Sequence, residues 1–305
     1  MEHKRTIPRA AALHDLSCFG RCALTVIDPV LSALGVQCVP VPTALLSTHT
    51  GGFRDMYFCE LDSAIPRIAD HFEATGIRFD AVYTGFLGSA RQAEIIEDFI
   101  RRFGQDDGNG GTPTVLVDPV LGDDGELYHT CTPELTAEMI RLGSEADAIT
   151  PNITEACLMS GISYGEVSSA AADDPEGVGG MLCRRLLRTV GGKRLRCVII
   201  TGIHCRDGIA TVTLDTSGGS EDISVFTQPR VGRDYPGTGD IFASVLLGRI
   251  LGDMSYADAA ADASRFAALC VKKSAELCPD EAVRNGVALE PLLGILTEKA
   301  ESFKK

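Results

Sequence analysis

Val115-Leu116-Val117-Asp118-Pro119, a helical pattern from Pro133 to Leu142, and then Ala148-Ile149-Thr150-Pro151-Asn152-Ile153-Thr154-Glu155 form the stretch on which the fold turns. A short apolar run ends in a polar turn, a helix-length segment follows, and a second apolar run ends in another polar turn. Runs this short and this apolar read as buried strands, and a helical connection between them makes the pair parallel. Pro151 stops the second strand, and either Asn152 or Thr154 can cap the helix that follows.

The unit recurs along the chain. Ala10 to Leu13, Val36 to Val41, Ala81 to Tyr83 and Val198 to Thr201 have the same character, and Ser89 to Phe103 places Ala93, Ile96, Phe99 and Ile100 on one helical face. This alternation predicts an α/β chain, a doubly wound and mostly parallel sheet with helices on both faces. Ile209 to Leu214 and Ile223 to Thr227, joined by the tract Thr216 to Glu221, predict an antiparallel hairpin at one edge. Three helical stretches are expected near the end: Thr238 to Leu251, Tyr256 to Lys273 and Val287 to Ala300. Gly104 to Pro113 and Ser168 to Gly180 are expected as surface loops, with the Gly161–Gly165 and Gly179-Gly180 glycines as loop punctuation. No internal repeat interrupts the pattern, so a single domain over residues 1–305 is expected.

The composition narrows the function. The 305 residues carry a net charge of −14, which argues against a broad nucleic-acid or anionic-membrane surface while leaving room for a local phosphate nest. No stretch approaches the roughly 18 apolar residues of a membrane span. The eleven cysteines form no CxxC pair, and several, as in Cys197-Val198-Ile199-Ile200, sit in apolar surroundings. A reducing cytoplasm and small-molecule partners are the expectation.

In sheets of this kind, ligands bind beyond the carboxyl ends of the strands. The polar text collects there: His14-Asp15-Leu16-Ser17 after the first strand, Ser47 to Gly52 after the second, Thr84-Gly85-Phe86 after the third. Asp118-Pro119, Thr150-Pro151-Asn152 and Thr201-Gly202 follow the next three. Tyr235-Pro236-Gly237-Thr238-Gly239-Asp240 runs into the apolar helix beginning Ile241-Phe242-Ala243. Its glycines let backbone N–H groups crowd an anion at a positive helix end, with Asp240 as a carboxylate beside it. That pairing suits a hydroxyl losing its proton while a phosphoryl group arrives. A plain helix-opening turn is the alternative.

The other constellations have two readings each. Asp118 and Asp123 can shape a Mg²⁺ or monovalent-cation site through water, or form an Asp-Pro turn with a solvated second acid. Asn152 and Glu155 can hold a water-clad Mg²⁺ on nucleotide phosphates, or form a capping box. His49 and Thr50, beside Gly51-Gly52, can orient an aromatic substrate with a phenolic oxygen, or His49 can be a structural or solvated histidine; Asp15 and Ser17 can meet a substrate or cap the first helix. Walker A and GxGxxG patterns are missing from the sequence, which weakens P-loop and NAD readings.

In this order the motifs resemble the ribokinase-like superfamily, and within it the pyridoxal/pyridoxamine kinases. The matching text is His14 to Gly20, Ser47-Thr48-His49-Thr50-Gly51, Thr84 to Gly88, Asp118-Pro119-Val120-Leu121-Gly122-Asp123, Thr150 to Glu155, and Gly237-Thr238-Gly239-Asp240. The resemblance implies ATP-dependent phosphorylation of the 5′-hydroxymethyl group of pyridoxal, pyridoxamine or pyridoxine. It implies Asp240 as general base, with Gly237, Thr238 and Gly239 completing the anion hole. It assigns Asn152, Glu155, Thr201 and Val231 to ATP, and Asp118 with Glu155 to the metal, Mg²⁺ with a monovalent cation such as K⁺ as a possible addition. Asp15, Ser17, His49, Thr50, Phe86 and Tyr128 would meet the substrate, and a homodimer is the usual assembly. One departure concerns Asp15: many relatives carry Ser there, against the ring nitrogen. An acid would form a charge-assisted bond with a protonated ring, and either Asp15 or Ser17 could be the contact. The rival readings are a hydroxymethylpyrimidine kinase and a catalytically inactive vitamer- or nucleotide-binding regulator; a ribose-type sugar kinase fits less well.

Overall fold

A computed structural model describes residues 7–106, 111–231 and 233–297. Nine strands form one sheet: β1 (Arg9–Phe19), β2 (Gln37–Thr48), β3 (Phe58–Glu60), β4 (Ala81–Thr84), β5 (Thr114–Val117), β8 (Ala148–Ile149), β9 (Cys197–Cys205), β10 (Gly208–Asp215) and β11 (Asp222–Gln228). A separate two-stranded ribbon joins β6 (Gly122–Asp123) to β7 (Glu126–Leu127). The main sheet runs β11-β10-β9-β8-β5-β4-β1-β2-β3. From β9 through β2 every pairing is parallel, while β10, β11 and β3 add antiparallel edges. The doubly wound sheet and its edge hairpin are therefore as the alternation predicts.

Side-chain alternation explains the two cores. On β1, Ala11 and Leu13 join a cluster with α3 (Ala90–Phe103), α4 (Pro133–Gly143), α5 (Ile153–Ser160) and α7 (Pro175–Val190). Ala10 and Ala12 face the other cluster, built with α1 (Leu24–Ala33), α8 (Thr238–Leu251) and α9 (Tyr256–Leu277). The helix starts are capped as their sequences suggest: Ser89 accepts from Gln92 N–H, Thr132 from Leu135 N–H, and Ser255 from Asp258 N–H. The remaining helices are α2 (Ala64–Ala74), α6 (Tyr164–Asp173) and α10 (Leu293–Leu296).

Four expectations are corrected. The segment 168–180 is helical, the end of α6 and the start of α7, because Asp174 caps the second helix by accepting from Gly177 N–H and Pro175 follows at its first turn. Gly179 and Gly180 are packing residues: a Cβ on Gly179 would stand 2.5 Å from Val212 Cγ2. Val287 to Ala300 is not one helix. Val287 and Leu289 bury into the second core, the Leu292 N–H closes a turn onto Leu289 O around Pro291, and only Leu293–Leu296 is helical; residues 298–300 lie outside the described residues. Finally, β1 runs on to Phe19, so His14, Asp15, Leu16 and Ser17 lie within the strand. Neither Asp15 nor Ser17 caps α1, whose N-cap is Ala23. Likewise β2 reaches Thr48 and β9 reaches Cys205, so Thr201-Gly202 is intrastrand.

Among the described residues no helix is long and apolar enough to cross a membrane. All eleven cysteines are free.

Candidate active site

A cleft of about 500 Å³ opens along the carboxyl edge of the parallel strands. Gly237 sets its floor. Its φ of +87° is in the left-handed region, and a Cβ there would lie 2.1 Å from the Arg21 carbonyl oxygen, so only glycine fits. The turn it makes starts α8 at Thr238, with Asp240 in the first turn. A helix start leaves its first N–H groups without intrahelical partners, and here they point a positive dipole end at the cleft.

Asp240 is half-buried, and its carboxylate accepts the Ala23 N–H at 2.8 Å. Burial raises its pKa from 3.8 to about 7, against the Ala23 bond that lowers it, with the charges of Asp118 and Asp15 adding to the rise. A carboxylate poised near neutrality is suited to general base work.

Asp118 leaves the end of β5, 8 % exposed, and accepts the Thr150 hydroxyl at 2.6 Å. Burial brings it to about 6, in spite of that bond. Asn152 and Glu155 satisfy the capping-box reading in full: Asn152 Oδ1 accepts from Glu155 N–H at 3.0 Å, and Glu155 Oε2 accepts from Asn152 N–H at 2.8 Å. The box does more than cap. Glu155 Oε1 accepts Leu121 N–H at 3.0 Å, and Asn152 Nδ2 donates to Gly122 O at 2.7 Å. The base of the β6–β7 ribbon is thereby tied to the start of α5. Burial, then the neighbouring Asp118 charge, hold Glu155 well above the usual carboxylate range.

The vitamer-side expectations separate. Asp15, Thr50, Phe86 and Tyr128 all line the cleft. Ser17 is fully buried and donates its hydroxyl to Asp15 at 2.8 Å, so of the two Asp15 borders the cleft. The β1–β2 register shifts between the His14/Pro42 and Leu16/Leu45 pairs, where β2 carries one extra residue opposite Asp15. His49 also borders the cleft, but both ring nitrogens are engaged by backbone: Nε2 meets Arg284 O at 2.6 Å, and Nδ1 accepts Gly51 N–H at 3.0 Å. It orders the 49–52 loop, and no imidazole nitrogen is left to orient a phenolic oxygen. Tight packing around it, with a Cβ on Gly20 only 2.3 Å from its Cδ2, fixes the ring.

Thr201 and Val231 also line the cleft. Sequence reasoning missed Cys22, Ala23, Asp124, His204, Thr211, Gln228 and Ser264, which also line it. His204 Nε2 stands 3.7 Å from Asp124 Oδ1, linking β9 to the ribbon. Cys22 and Ala23 were findable only from their place between the first strand and helix. Thr211 and Ser264, which share a 3.1 Å hydroxyl bond, come from elements too far apart in sequence to be joined by any motif.

A helix start facing the cleft, a carboxylate in its first turn, and the buried acids Asp118 and Glu155 lining the same cleft, on a doubly wound sheet, are the arrangement of a kinase acting on a small alcohol. The chain belongs to the phosphomethylpyrimidine kinase family, whose model matches residues 29–282. A pyridoxine/pyridoxal/pyridoxamine kinase of Bordetella avium is 30% identical over 261 residues, covering 81% of this chain and 79% of that protein. A Bacteroides thetaiotaomicron structure, provisionally described as a phosphomethylpyrimidine kinase and crystallised with pyridoxal, superposes with a TM-score of 0.85. It is 33% identical and covers 97% of this chain and 98% of its own. The pyridoxal kinase of Lactobacillus plantarum gives 0.81 at 27% identity, over 95% and 97% of the two chains.

Proposed function

We propose that this protein transfers the γ-phosphoryl group of ATP to the 5′-hydroxymethyl group of pyridoxal, pyridoxamine or pyridoxine. The observation that carries the reading is the placement of Asp240 at the N-terminus of α8, in a cleft that Asp15, Thr50 and Phe86 also line. Asp240 takes the proton of the attacking hydroxyl, and the N–H groups from Gly237 to Asp240 stabilise the charge on the moving phosphoryl. Asp15 pairs with the ring nitrogen, while Phe86 and Tyr128 supply apolar and aromatic surface for the ring. Asn152, Glu155, Thr201 and Val231 lie on the ATP side.

A hard divalent cation fits the acids opposite the base. Asp118 and Glu155 are oxygen donors, buried together, and each is pushed up in pKa by loss of solvent, with Asp118 adding to the rise of Glu155. Among the described residues no three acids, histidines or cysteines converge enough to ligate an ion directly. Mg²⁺ would therefore be held through water and ATP oxygens, where it supplies charge neutralisation for the phosphates. A single domain, a cytoplasmic location and a homodimer complete the proposal, the last checked by light scattering.

The family description favours a second reading, a hydroxymethylpyrimidine kinase, which phosphorylates a different aromatic alcohol. The deciding experiment is ADP release with the three vitamers, hydroxymethylpyrimidine and ribose. Turnover on the vitamers supports the first reading. Turnover confined to hydroxymethylpyrimidine selects the second, and ligand binding without ADP release selects an inactive regulator.

A further inference from the structure

Behind the catalytic end of the cleft, three buried polar atoms have no hydrogen-bond partner among the described residues: Tyr83 Oη on β4, Ser244 Oγ on α8 and His14 Nε2 on β1. Tyr83 and Ser244 are fully buried and His14 is 1 % exposed. Tyr83 is the neighbour of both of the others. The His14 and Tyr83 rings meet edge to face with centroids 4.2 Å apart. Ser244 follows Asp240 by one turn of α8 and so lies on the same side of the helix. Its hydroxyl is close enough to the Tyr83 phenol to interact with it, though without hydrogen-bond geometry. Burial first, then the charges of Asp118 and Asp240, push the phenol's pKa well up, and both of those acids line the cleft.

A phenol on an internal strand of a packed sheet is costly unless its hydroxyl is bonded, and a leucine or phenylalanine would fill the space without that cost. Three such groups in series, Tyr83 against His14 on one side and near Ser244 on the other, supply two hydroxyls and an imidazole, enough for the two to four partners that a buried water needs. Burial keeps His14 neutral, with a pKa of about 3, so its ring can join such a network without carrying charge.

We propose that Tyr83, Ser244 and His14 bind one or two waters behind Asp240, and that Tyr83 is thereby a positioning residue for the base. The inference rests on the kinase reading above, in which Asp240 accepts the substrate proton. This water site fixes the carboxylate from behind while Ala23 N–H fixes it from the side. It touches neither the vitamer nor ATP, so its loss acts on the chemical step rather than on binding.

The test is Tyr83→Phe, which keeps the ring and removes only the hydroxyl. Loss of one water-relayed bond to a charged group is expected to lower kcat by about 10-fold, with KM for ATP and for pyridoxal within about twofold of the parent. In an Asp240→Asn background the same change should alter the residual kcat by less than about twofold, because the group it positions is gone. Ser244→Ala, a second and smaller change, should repeat the pattern if Tyr83→Phe folds poorly. An unchanged kcat, a loss carried by KM, or an equal fall in both backgrounds would overturn the inference and leave the kinase reading intact. Wild-type protein that releases no ADP with any vitamer would overturn that reading and this inference with it.

Discussion

Replacing Asp240 by Asn has two separable consequences, and both can be worked from the surroundings of the carboxylate. Burial raises its folded pKa to about 7 from an ordinary 3.8. A raised folded pKa means that the group's contribution to stability is fully present below pH 3.8 and is lost as pH rises through 7. Three units at 1.36 kcal/mol each set a ceiling of about 4 kcal/mol. Because Asp240 is half-buried at an open cleft, about 2 kcal/mol is the working figure. Asn has no such titration. The variant should therefore gain on the wild type as pH rises, the pH-dependent gap roughly doubling from about 1 kcal/mol at pH 5.5 to about 2 kcal/mol at pH 8.5. The assay is urea or thermal unfolding of the nucleotide-free proteins across that range, where both are above the sequence pI of 4.9. In parallel kcat should fall by about 10²–10⁴ with ATP affinity unchanged. A variant that loses stability relative to wild type as pH rises would refute the reasoning, because Asp240 would then be a paired, ionised group. Near-normal turnover would remove it from the base role.

The acid limb of kcat/KM against pH should fall near pH 7, the value to which burial brings Asp240, and it should be absent from the residual activity of Asp240→Asn. Asp15→Asn should raise KM for the vitamer by about 10-fold through loss of a charge-assisted bond, leaving KM for ATP unchanged; a change confined to ATP would place Asp15 elsewhere. Gly237→Ala should cost at least about 2 kcal/mol in a urea titration and depress kcat, since the added methyl meets the Arg21 carbonyl oxygen in a backbone conformation that disfavours alanine. Glu155→Ala strips acceptors from two backbone N–H groups, Leu121 and Asn152, and should destabilise by about 2–4 kcal/mol; a loss of ATP affinity without destabilisation would make Glu155 purely a ligand.

The sheet was legible because its strands are short, apolar and separated by helices, a pattern set by burial on both faces. Its errors have a common origin. Asp15 and Ser17 look like residues beyond a strand because polar side chains seldom lie inside one, yet β1 carries them along its continuation beside β2. Gly179 reads as a loop glycine, although its absent side chain is what lets α7 approach Val212. Both depend on tertiary neighbours that local composition does not contain. The Gly237–Asp240 loop was readable for the opposite reason: Gly237, the helix start at Thr238 and Asp240 fall within four consecutive residues. His49 was readable as a cleft residue but not in its role, since its partner Arg284 is over two hundred positions away. The capping box of Asn152 and Glu155 could be read from spacing, whereas its ties to Leu121 and Gly122 required the folded ribbon.

The central claim is that Asp240 drives phosphorylation of a hydroxymethyl group on a pyridine ring. Its most direct test is to identify the bond formed when the protein is incubated with pyridoxal, ATP and Mg²⁺, by phosphorus–proton correlation of the product. The account predicts phosphorus coupled to the 5′-methylene protons, one ADP formed per product, and loss of that product with Asp240→Asn. Phosphate on the ring hydroxyl, or a 5′-phosphate formed equally well by Asp240→Asn, would contradict it.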